Sequence, residues 1–284
     1  MERHLYFHSQ GYRVLGVLHS PDQTPARPGG LVFLHGWAGY RIGPHQMFTK
    51  MARRATDEGF HCLRFDFRGR GDSEGDANRT TLSTMIQDAV AAAEMLCADT
   101  GLQRIALIGD CSGSEVAIGA GTLDPRIDSL LLWSAPIVGG ARDQAEAAKR
   151  RSIYRSYLSK LFRRETWAKL IGGRLQTKMI TRALRDGGKG AGEEGAEEDR
   201  DIDWIDRYVR FPGEVLHIYG GNDPTTPSAL EHYGELSREA GRAFNVHIVE
   251  GANHAFYSLA WEDEVMSTGL DWLASRYPAA GEGG

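Results

Sequence analysis

The sequence predicts an α/β protein in which a mostly parallel β-sheet is flanked by helices. Two observations support this: short apolar runs alternate with amphipathic stretches along the chain, and Gly-rich turns follow several of those runs. With 284 residues, 41% of them hydrophobic, the chain is long enough to bury a substantial core. We therefore expect one large domain, with or without an insertion.

Eight apolar runs are predicted to be strands, namely residues 5–9, 12–19, 31–34, 62–67, 104–108, 127–133, 215–219 and 245–249. The first two are expected to pair as an antiparallel hairpin through Gly11. Helices are predicted on both sides of the last strand and over residues 46–58, 82–98 and 114–122. Gly59 is expected to cap the first of these helices.

The interval between the sixth and seventh strands is far longer than a crossover needs, so an inserted substructure is predicted there. Residues 137–212 are expected to form a helical cap or lid, and residues 1–136 and 213–284 the core. Within the insertion, residues 142–185 contain thirteen Lys or Arg and three acidic residues. Residues 187–203 are Gly-rich and acidic and are predicted to form a flexible loop.

Composition argues against several classes of protein. No apolar run approaches the roughly 20 residues that span a bilayer, and the first residues lack the apolar segment of a signal peptide. A cytoplasmic protein without a membrane partner is therefore expected. The net charge of -5 and the lack of a nucleic-acid-reading motif argue against nucleic-acid binding. The three cysteines have no metal-type spacing, which predicts free thiols in a reducing compartment, with no metal or other cofactor.

Cys111 is the central residue of the most informative motif, Gly109-Asp110-Cys111-Ser112-Gly113, which follows a predicted strand and leads into a predicted helix. A strand that ends in Gly-x-nucleophile-x-Gly and turns sharply into a helix holds its central residue in a tight, exposed turn, where glycines let the backbones pass. The alternative is an ordinary strand-to-helix connection with a small buried cysteine.

This motif and three further segments give the chain a resemblance to the α/β-hydrolase superfamily over nearly its whole length. The further segments are Leu34-His35-Gly36-Trp37 with Gly39, Asp66-Phe67-Arg68-Gly69-Arg70-Gly71-Asp72-Ser73, and Gly220-Gly221-Asn222-Asp223 followed by Gly251-Ala252-Asn253-His254. The resemblance implies the α/β-hydrolase fold, with a mostly parallel eight-stranded sheet and a helical cap inserted after strand 6. Because a thiol stands where the family usually has a hydroxyl, the chain resembles Cys-dependent acyl or aminoacyl transferases, thioesterases and dienelactone-hydrolase-like enzymes.

The resemblance also implies roles for individual residues. Cys111 matches the nucleophile, His254 the general base, and Asp223 the carboxylate that orients the imidazole. The backbone N–H groups of Trp37 and Ser112 match the oxyanion hole, which stabilises the charge of a tetrahedral intermediate. Substrate-binding residues are expected within the cap, without individual assignments.

Other histidines and carboxylates compete for these roles. His217 and His247 lie within predicted strands, where packed or solvent-facing side chains are expected. Asp66 and Asp72 lie in a turn, where carboxylates usually accept backbone hydrogen bonds. Asp110 flanks the predicted nucleophile and is expected to point elsewhere.

The alternatives to Cys111 as nucleophile are weaker. Ser112 falls one residue past the apex of the turn. Cys62, on a buried strand, and Cys97, on an apolar helix face, are expected to be core thiols. A Cys111 that replaced a natural serine would instead indicate an ordinary esterase or peptidase.

The thiol favours acyl transfer from a thioester. A cysteine beside a histidine can form a thiolate–imidazolium pair, and the helix that follows stabilises the negative sulfur through its dipole. The acyl-enzyme is then a thioester, which exchanges readily with another thioester. We therefore expect an acyltransferase or thioesterase that acts on an acyl group linked to coenzyme A or an acidic carrier protein.

Three points stay open at this stage. The basic stretch in the cap suits an anionic partner, but it is also what a solvated helix face looks like. A carboxylester or lactone hydrolase is the alternative enzyme. A receptor or catalytically silent scaffold on the same fold is the third possibility, although the intact nucleophile, acid and histidine argue against it.

Overall fold

The structure, a computed structural model, describes residues 1–139 and 202–279. Its strands are β1 (Glu2–Ser9), β2 (Tyr12–His19), β3 (Gly30–Leu34), β4 (His61–Phe65), β5 (Ile105–Asp110), β6 (Ile127–Trp133), β7 (Glu214–Gly220) and β8 (Asn245–Val249). They form one eight-stranded sheet in the order β1-β2-β4-β3-β5-β6-β7-β8. β2 is antiparallel to both of its neighbours, and β3 to β8 are parallel. The predicted hairpin and mostly parallel sheet are therefore confirmed.

Six α-helices are described: α1 (Met47–Asp57), α2 (Leu82–Thr100), α3 (Ser112–Gly121), α4 (Trp204–Arg210), α5 (Thr226–Glu239) and α6 (Leu259–Arg276). Thr81 precedes α2 and forms a reciprocal capping box with Thr84. The Thr81 side chain accepts from the Thr84 N–H, and the Thr84 hydroxyl accepts from the Thr81 N–H. Gly101 ends the helix with a φ of 78°, a left-handed conformation that glycine adopts without strain.

The helices cover both faces of the sheet. Successive strand residues point to opposite sides, so Leu31 and Phe33 of β3 pack in one core cluster and Val32 and Leu34 in the other. The first cluster includes side chains of α1 and α6, and the second includes side chains of α2, α3, α4 and α5. This layering explains why the central strands are apolar along their whole length.

The predicted cap falls mostly on residues 140–201, which lie outside the described residues, as do the basic stretch and nearly all of the acidic loop. The described part of the insertion includes α4. Trp204 and Tyr208 of this helix are buried in the cluster formed by α2, α3 and α5, and the Arg207 guanidinium donates to the Gly119 carbonyl at the end of α3. α4 therefore packs as part of the core, and the domain boundaries stay predictions.

The strand boundaries differ from the sequence prediction by up to three residues, since β1 begins at Glu2 rather than at residue 5. β4 ends at Phe65 rather than at residue 67, because the chain turns there and directs the Asp66 carboxylate to the backbone N–H groups of Arg41 and Asp72. β5 continues to Asp110, whereas a strand over residues 104–108 was expected.

No helix in the described ranges is long and apolar enough to cross a membrane.

The turn after β4 is attached to α2 by a buried ion pair. The Arg68 guanidinium donates to Asp88 at 2.6 and 2.8 Å, and the Arg68 backbone N–H donates to the same carboxylate at 2.8 Å. Both side chains are almost fully buried. Because removal of one charge would leave the other unpaired in the interior, the pair fixes where this turn lies.

Replacing Asp88 with Asn should lower the free energy of unfolding by about 3 kcal/mol, because Arg68 would remain buried without its counter-charge. Urea unfolding followed by circular dichroism measures this change. Asp99→Asn is the matched control, since Asp99 lies on the same helix in an exposed pair with Arg3 and should contribute less than about 1 kcal/mol. Equal losses in the two variants would contradict this account of the turn.

Candidate active site

Cys111 is the single residue between β5 and α3. Its backbone has φ 52° and ψ −119°, a conformation that costs free energy for a residue with a side chain. Two hydrogen bonds hold it there: the Cys111 N–H donates to the Trp133 carbonyl, and the Ser114 N–H donates to the Cys111 carbonyl, each at 2.9 Å. The thiol-bearing residue is half-buried, so it stands at the end of the strand with access to solvent.

The two motif glycines are required by close backbone approaches. A Cβ atom at Gly109 would lie about 2.6 Å from the Ser114 Cα, and one at Gly113 would overlap the Leu34 carbonyl at the end of β3. The Ser114 hydroxyl also donates to the Gly109 carbonyl at 2.9 Å, which closes the turn from within. The sharp turn that the sequence motif predicts is therefore present.

Asp223 and His254 are brought together by the loops that follow β7 and β8. The Asp223 Oδ2 lies 2.6 Å from the His254 Nδ1. The other carboxylate oxygen accepts from the Thr225 N–H at 3.0 Å and from the Thr225 hydroxyl at 2.8 Å. Burial raises the pKa of Asp223, but the hydrogen bonds from His254 and Thr225 outweigh it, so the pKa lies below its ordinary value.

The Cys111 thiol lies near enough to the His254 ring to raise the pKa of the ring, so the ring has the thiol and the Asp223 carboxylate as neighbours. The hydrogen bond with Asp223, followed by the proximity of the Cys111 thiol, raises the pKa of His254 to about 10. At neutral pH the ring therefore holds its proton. Because 40% of the side chain is exposed, a substrate has a path to this group.

Two residues outside the sequence prediction hold the His254 loop in place. The Ser134 hydroxyl, at the end of β6, donates to the His254 carbonyl at 2.8 Å. Asn222 joins the loops after β7 and β8, since its backbone N–H donates to the Ala252 carbonyl at 2.8 Å and its side chain to the Gly251 carbonyl at 3.0 Å. The sequence offered no signal for Ser134 beyond a small polar residue at a strand end.

Trp37 and Ser112 also meet, but in an unexpected way. The Ser112 Oγ accepts a 2.6 Å hydrogen bond from the Trp37 backbone N–H, so one of the two predicted oxyanion-hole donors already has an acceptor. The Ser112 N–H lies in the first turn of α3, where helices have no internal acceptor. Of the two predicted donors, the Ser112 N–H directly follows Cys111 in the chain, and the Trp37 N–H is hydrogen-bonded to the Ser112 hydroxyl.

His35 fixes the backbone that carries the Trp37 amide. Its Nδ1–H donates to the Gly36 carbonyl at 2.8 Å, and its Nε2 accepts from the Phe67 N–H at 3.3 Å. Burial lowers the pKa of His35 to about 4, so the ring is neutral at physiological pH. A neutral ring can donate from one nitrogen and accept at the other, which is what these two contacts require.

The competing residues lie elsewhere or have other partners. Burial lowers the pKa of His217 to about 3, and His247 pairs with Glu264 at 2.8 Å. Asp66 accepts from two backbone N–H groups, as its position in the turn predicted. Burial raises the pKa of Asp110 to about 6, and His254 lies near enough to lower it in part, but no hydrogen bond joins the two among the described contacts.

The other two cysteines are core thiols, as expected. Cys62 is fully buried and Cys97 is 4% exposed, and burial raises the pKa of Cys62 to about 12. Among residues 1–139 and 202–279, no three His, Cys, Asp or Glu side chains are grouped so that they would hold a metal ion.

The comparisons with known proteins agree with this fold. Protein ABHD12B of Homo sapiens is 37% identical over 90 residues, which cover 32% of this chain and 24% of that protein. The chain therefore matches only about a quarter of that relative's length. Alpha/beta hydrolase GrgF from Penicillium sp. sh18 has a TM-score of 0.67 at 17% identity, covering 98% of this chain and 99% of that one.

The Pyrococcus furiosus esterase PF2001 gives a TM-score of 0.65 at 17% identity, covering 98% of this chain and 91% of that one. At such low identity, both solved structures support the fold and nothing finer. A family model described as the alpha/beta hydrolase family matches residues 31–267, a range that contains β3 from its second residue, β4 to β8 and every residue of the candidate site. The chain belongs to the alpha/beta hydrolase family.

Proposed function

We propose that this protein is an acyl-transfer enzyme that carries the acyl group on Cys111 as a thioester. The observation that carries the proposal is the 2.6 Å hydrogen bond between His254 and Asp223, with the Cys111 thiol near enough to raise the pKa of the His254 ring. Nucleophile, base and orienting acid in that arrangement are the requirements of covalent acyl transfer. The strained, half-buried turn that presents Cys111 supports the same role.

The reaction would proceed in two steps. The Cys111 sulfur attacks the substrate carbonyl carbon, and the resulting oxyanion is stabilised by the Trp37 and Ser112 N–H groups. The bond to the leaving group breaks, the leaving group takes the proton held by His254, and acyl-Cys111 remains. A water, thiol or amine then gives a proton to His254, attacks the acyl carbon and releases Cys111.

A thioester on coenzyme A or an acidic carrier protein is the proposed donor, because exchange between two thioesters is close to balanced in free energy. Family membership and the esterase among the structural neighbours favour a second candidate, a carboxylester or lactone hydrolase. The two differ in the fate of the acyl-enzyme: rapid loss to water indicates hydrolysis, and persistence until a thiol or amine is added indicates transfer.

Incubation with the butyryl thioester of N-acetylcysteamine should add one butyryl group to the protein, and Cys111→Ala should abolish this addition. Intact-protein mass spectrometry measures the adduct, and its decay with and without added thiol separates transfer from hydrolysis. Cys97→Ala is the control, because that thiol is buried. A stable adduct on the Cys111→Ala protein would rule out this proposal.

Replacing Asp223 with Asn should lower the pKa of His254 from about 10 by roughly one to three units, because the carboxylate is the main partner that stabilises the protonated ring. The pH titration of the His254 ring proton by NMR measures this shift. The variant should also acylate more slowly, since the imidazole loses its orientation. Asp72→Asn, at a mostly exposed carboxylate paired with Arg41, should leave the titration unchanged. An unshifted His254 in the Asp223→Asn protein would contradict the assignment.

Replacing Ser112 with Ala should speed acylation of Cys111 by about two- to tenfold, because the Trp37 N–H would no longer have to give up an existing hydrogen bond. Single-turnover kinetics with the butyryl thioester measure the rate. Ser112→Thr, which keeps the hydroxyl, should stay near the rate of the unmodified protein. Slower acylation in the Ala variant would mean that the hydroxyl assists the reaction instead of occupying the donor.

A further inference from the structure

Arg70, in the turn after β4, is a cation without a counter-ion among the residues that the structure describes. Its Nε is buried and has no hydrogen-bond partner, and no residue in the ranges 1–139 and 202–279 forms a hydrogen bond or ion pair with its guanidinium. Every other arginine that is buried or half-buried in those ranges donates at least one side-chain hydrogen bond. Arg70 is thus exceptional among the described arginines.

The carboxylates nearest to Arg70 along the chain are all engaged with other partners. Asp66 and Asp72 both pair with Arg41, and Glu74 pairs with Arg13 at 2.7 Å. Burial lowers the pKa of Arg70, and no carboxylate in the described ranges raises it. An arginine does not give up its proton at physiological pH, so the positive charge remains, and no hydrogen bond or ion pair from the described residues compensates its desolvation.

The backbone around Arg70 is rigid. The Arg70 N–H donates to the Phe67 carbonyl at 2.9 Å, and the Arg70 carbonyl accepts from the Ser73 N–H at 3.0 Å. Ser73 is held in turn, because its hydroxyl donates to the Asp66 carbonyl at 2.6 Å. The guanidinium is therefore presented by a fixed turn, which would cost a ligand little ordering free energy.

The side chain lies against the candidate active site. The Arg70 guanidinium carbon lies 5.1 Å from the centre of the Trp37 ring, and the Trp37 N–H is bonded to Ser112, the residue after Cys111. A guanidinium over an aromatic ring keeps N–H groups that can donate to an oxyanion, in the favourable case through two parallel hydrogen bonds. Arg70 is half-buried, so the site is open to a ligand.

We propose that Arg70 binds an anionic group of the substrate, a carboxylate or a phosphate, beside the loop that carries the Trp37 amide. This inference rests on the proposed acyl transfer at Cys111 and specifies the substrate class. A carboxylate would belong to the acyl group itself, as in a dicarboxylic acyl chain. A phosphate would belong to the group that delivers the acyl chain, such as coenzyme A or a phosphopantetheine arm.

Matched thioesters separate the two sources of the anion. Succinyl and butyryl thioesters of N-acetylcysteamine differ by a terminal carboxylate, and butyryl-coenzyme A differs from butyryl-N-acetylcysteamine by its phosphates. The rate of Cys111 acylation by each is measured for the unmodified protein, Arg70→Gln and Arg70→Lys. Arg79→Gln is the control, because Arg79 is an exposed arginine on the same connection between β4 and α2.

We expect the unmodified protein to favour one anionic thioester by roughly 10- to 100-fold over its neutral partner. Arg70→Gln should lose that preference, Arg70→Lys should keep part of it, and Arg79→Gln should keep all of it. A preference for the succinyl group identifies a carboxylate, and a preference for coenzyme A identifies a phosphate. An anionic preference that does not change in Arg70→Gln, or no anionic preference at all, overturns the proposal.

A binding measurement distinguishes failure of this inference from failure of acyl transfer. Succinate or inorganic phosphate should slow alkylation of Cys111 by iodoacetamide in the unmodified protein and in Arg79→Gln, but not in Arg70→Gln. If no thioester acylates Cys111 while this protection persists, the anion site stands and the proposed function falls. If neutral thioesters acylate Cys111 while neither anion protects it and neither anionic thioester is preferred, the proposed function stands and the anion site at Arg70 falls.

Discussion

The left-handed backbone of Cys111 is the constraint on which the rest of the site depends. A residue with φ 52° between a strand and a helix is strained, and it persists because β3, β6 and α3 hold the turn on three sides. Glycine at positions 109 and 113 removes the Cβ atoms that would otherwise collide with neighbouring backbone. The strain presents a sulfur at the end of a buried strand, while the backbone beneath it remains closely packed.

The parallel sheet brings the other groups to the same place. The carboxyl ends of parallel strands lie at one edge of the sheet, so the loops after β3, β5, β7 and β8 all begin at that edge. Convergence by itself does not orient an imidazole. Ser134 and Asn222 do so by bonding to the backbone of the loop that carries His254, and Asp223 does so through the ring nitrogen.

Electrostatics separate the site from its support. His35, which holds the Trp37 loop, is neutral because it is buried. Arg68 and Asp88, which hold the turn after β4, form a buried ion pair with each other. His254 differs, because a carboxylate on one side and a thiol on the other favour its charged form. His254 is therefore the protonated ring of the site, and the proposed acyl transfer requires a proton donor at that position.

The sequence by itself determined the strands, most helix positions and the sharp turn at Cys111, because apolar periodicity and glycine spacing are local properties. The roles expected for Cys111, Asp223 and His254 came from the resemblance to a known family. The sequence placed the end of β5 two residues too early and the start of α3 two residues too late, since backbone contacts with β3 and β6 decide where they lie. Only the tertiary structure decided that the Asp223 Oδ2 lies 2.6 Å from the His254 Nδ1 and that the Trp37 N–H donates to the Ser112 hydroxyl. It also decided that the Arg70 guanidinium has no hydrogen-bond or ion-pair partner among the described residues. These features depend on which loops meet when the sheet forms, and residues 31 or 75 positions apart carry no local signal of that meeting.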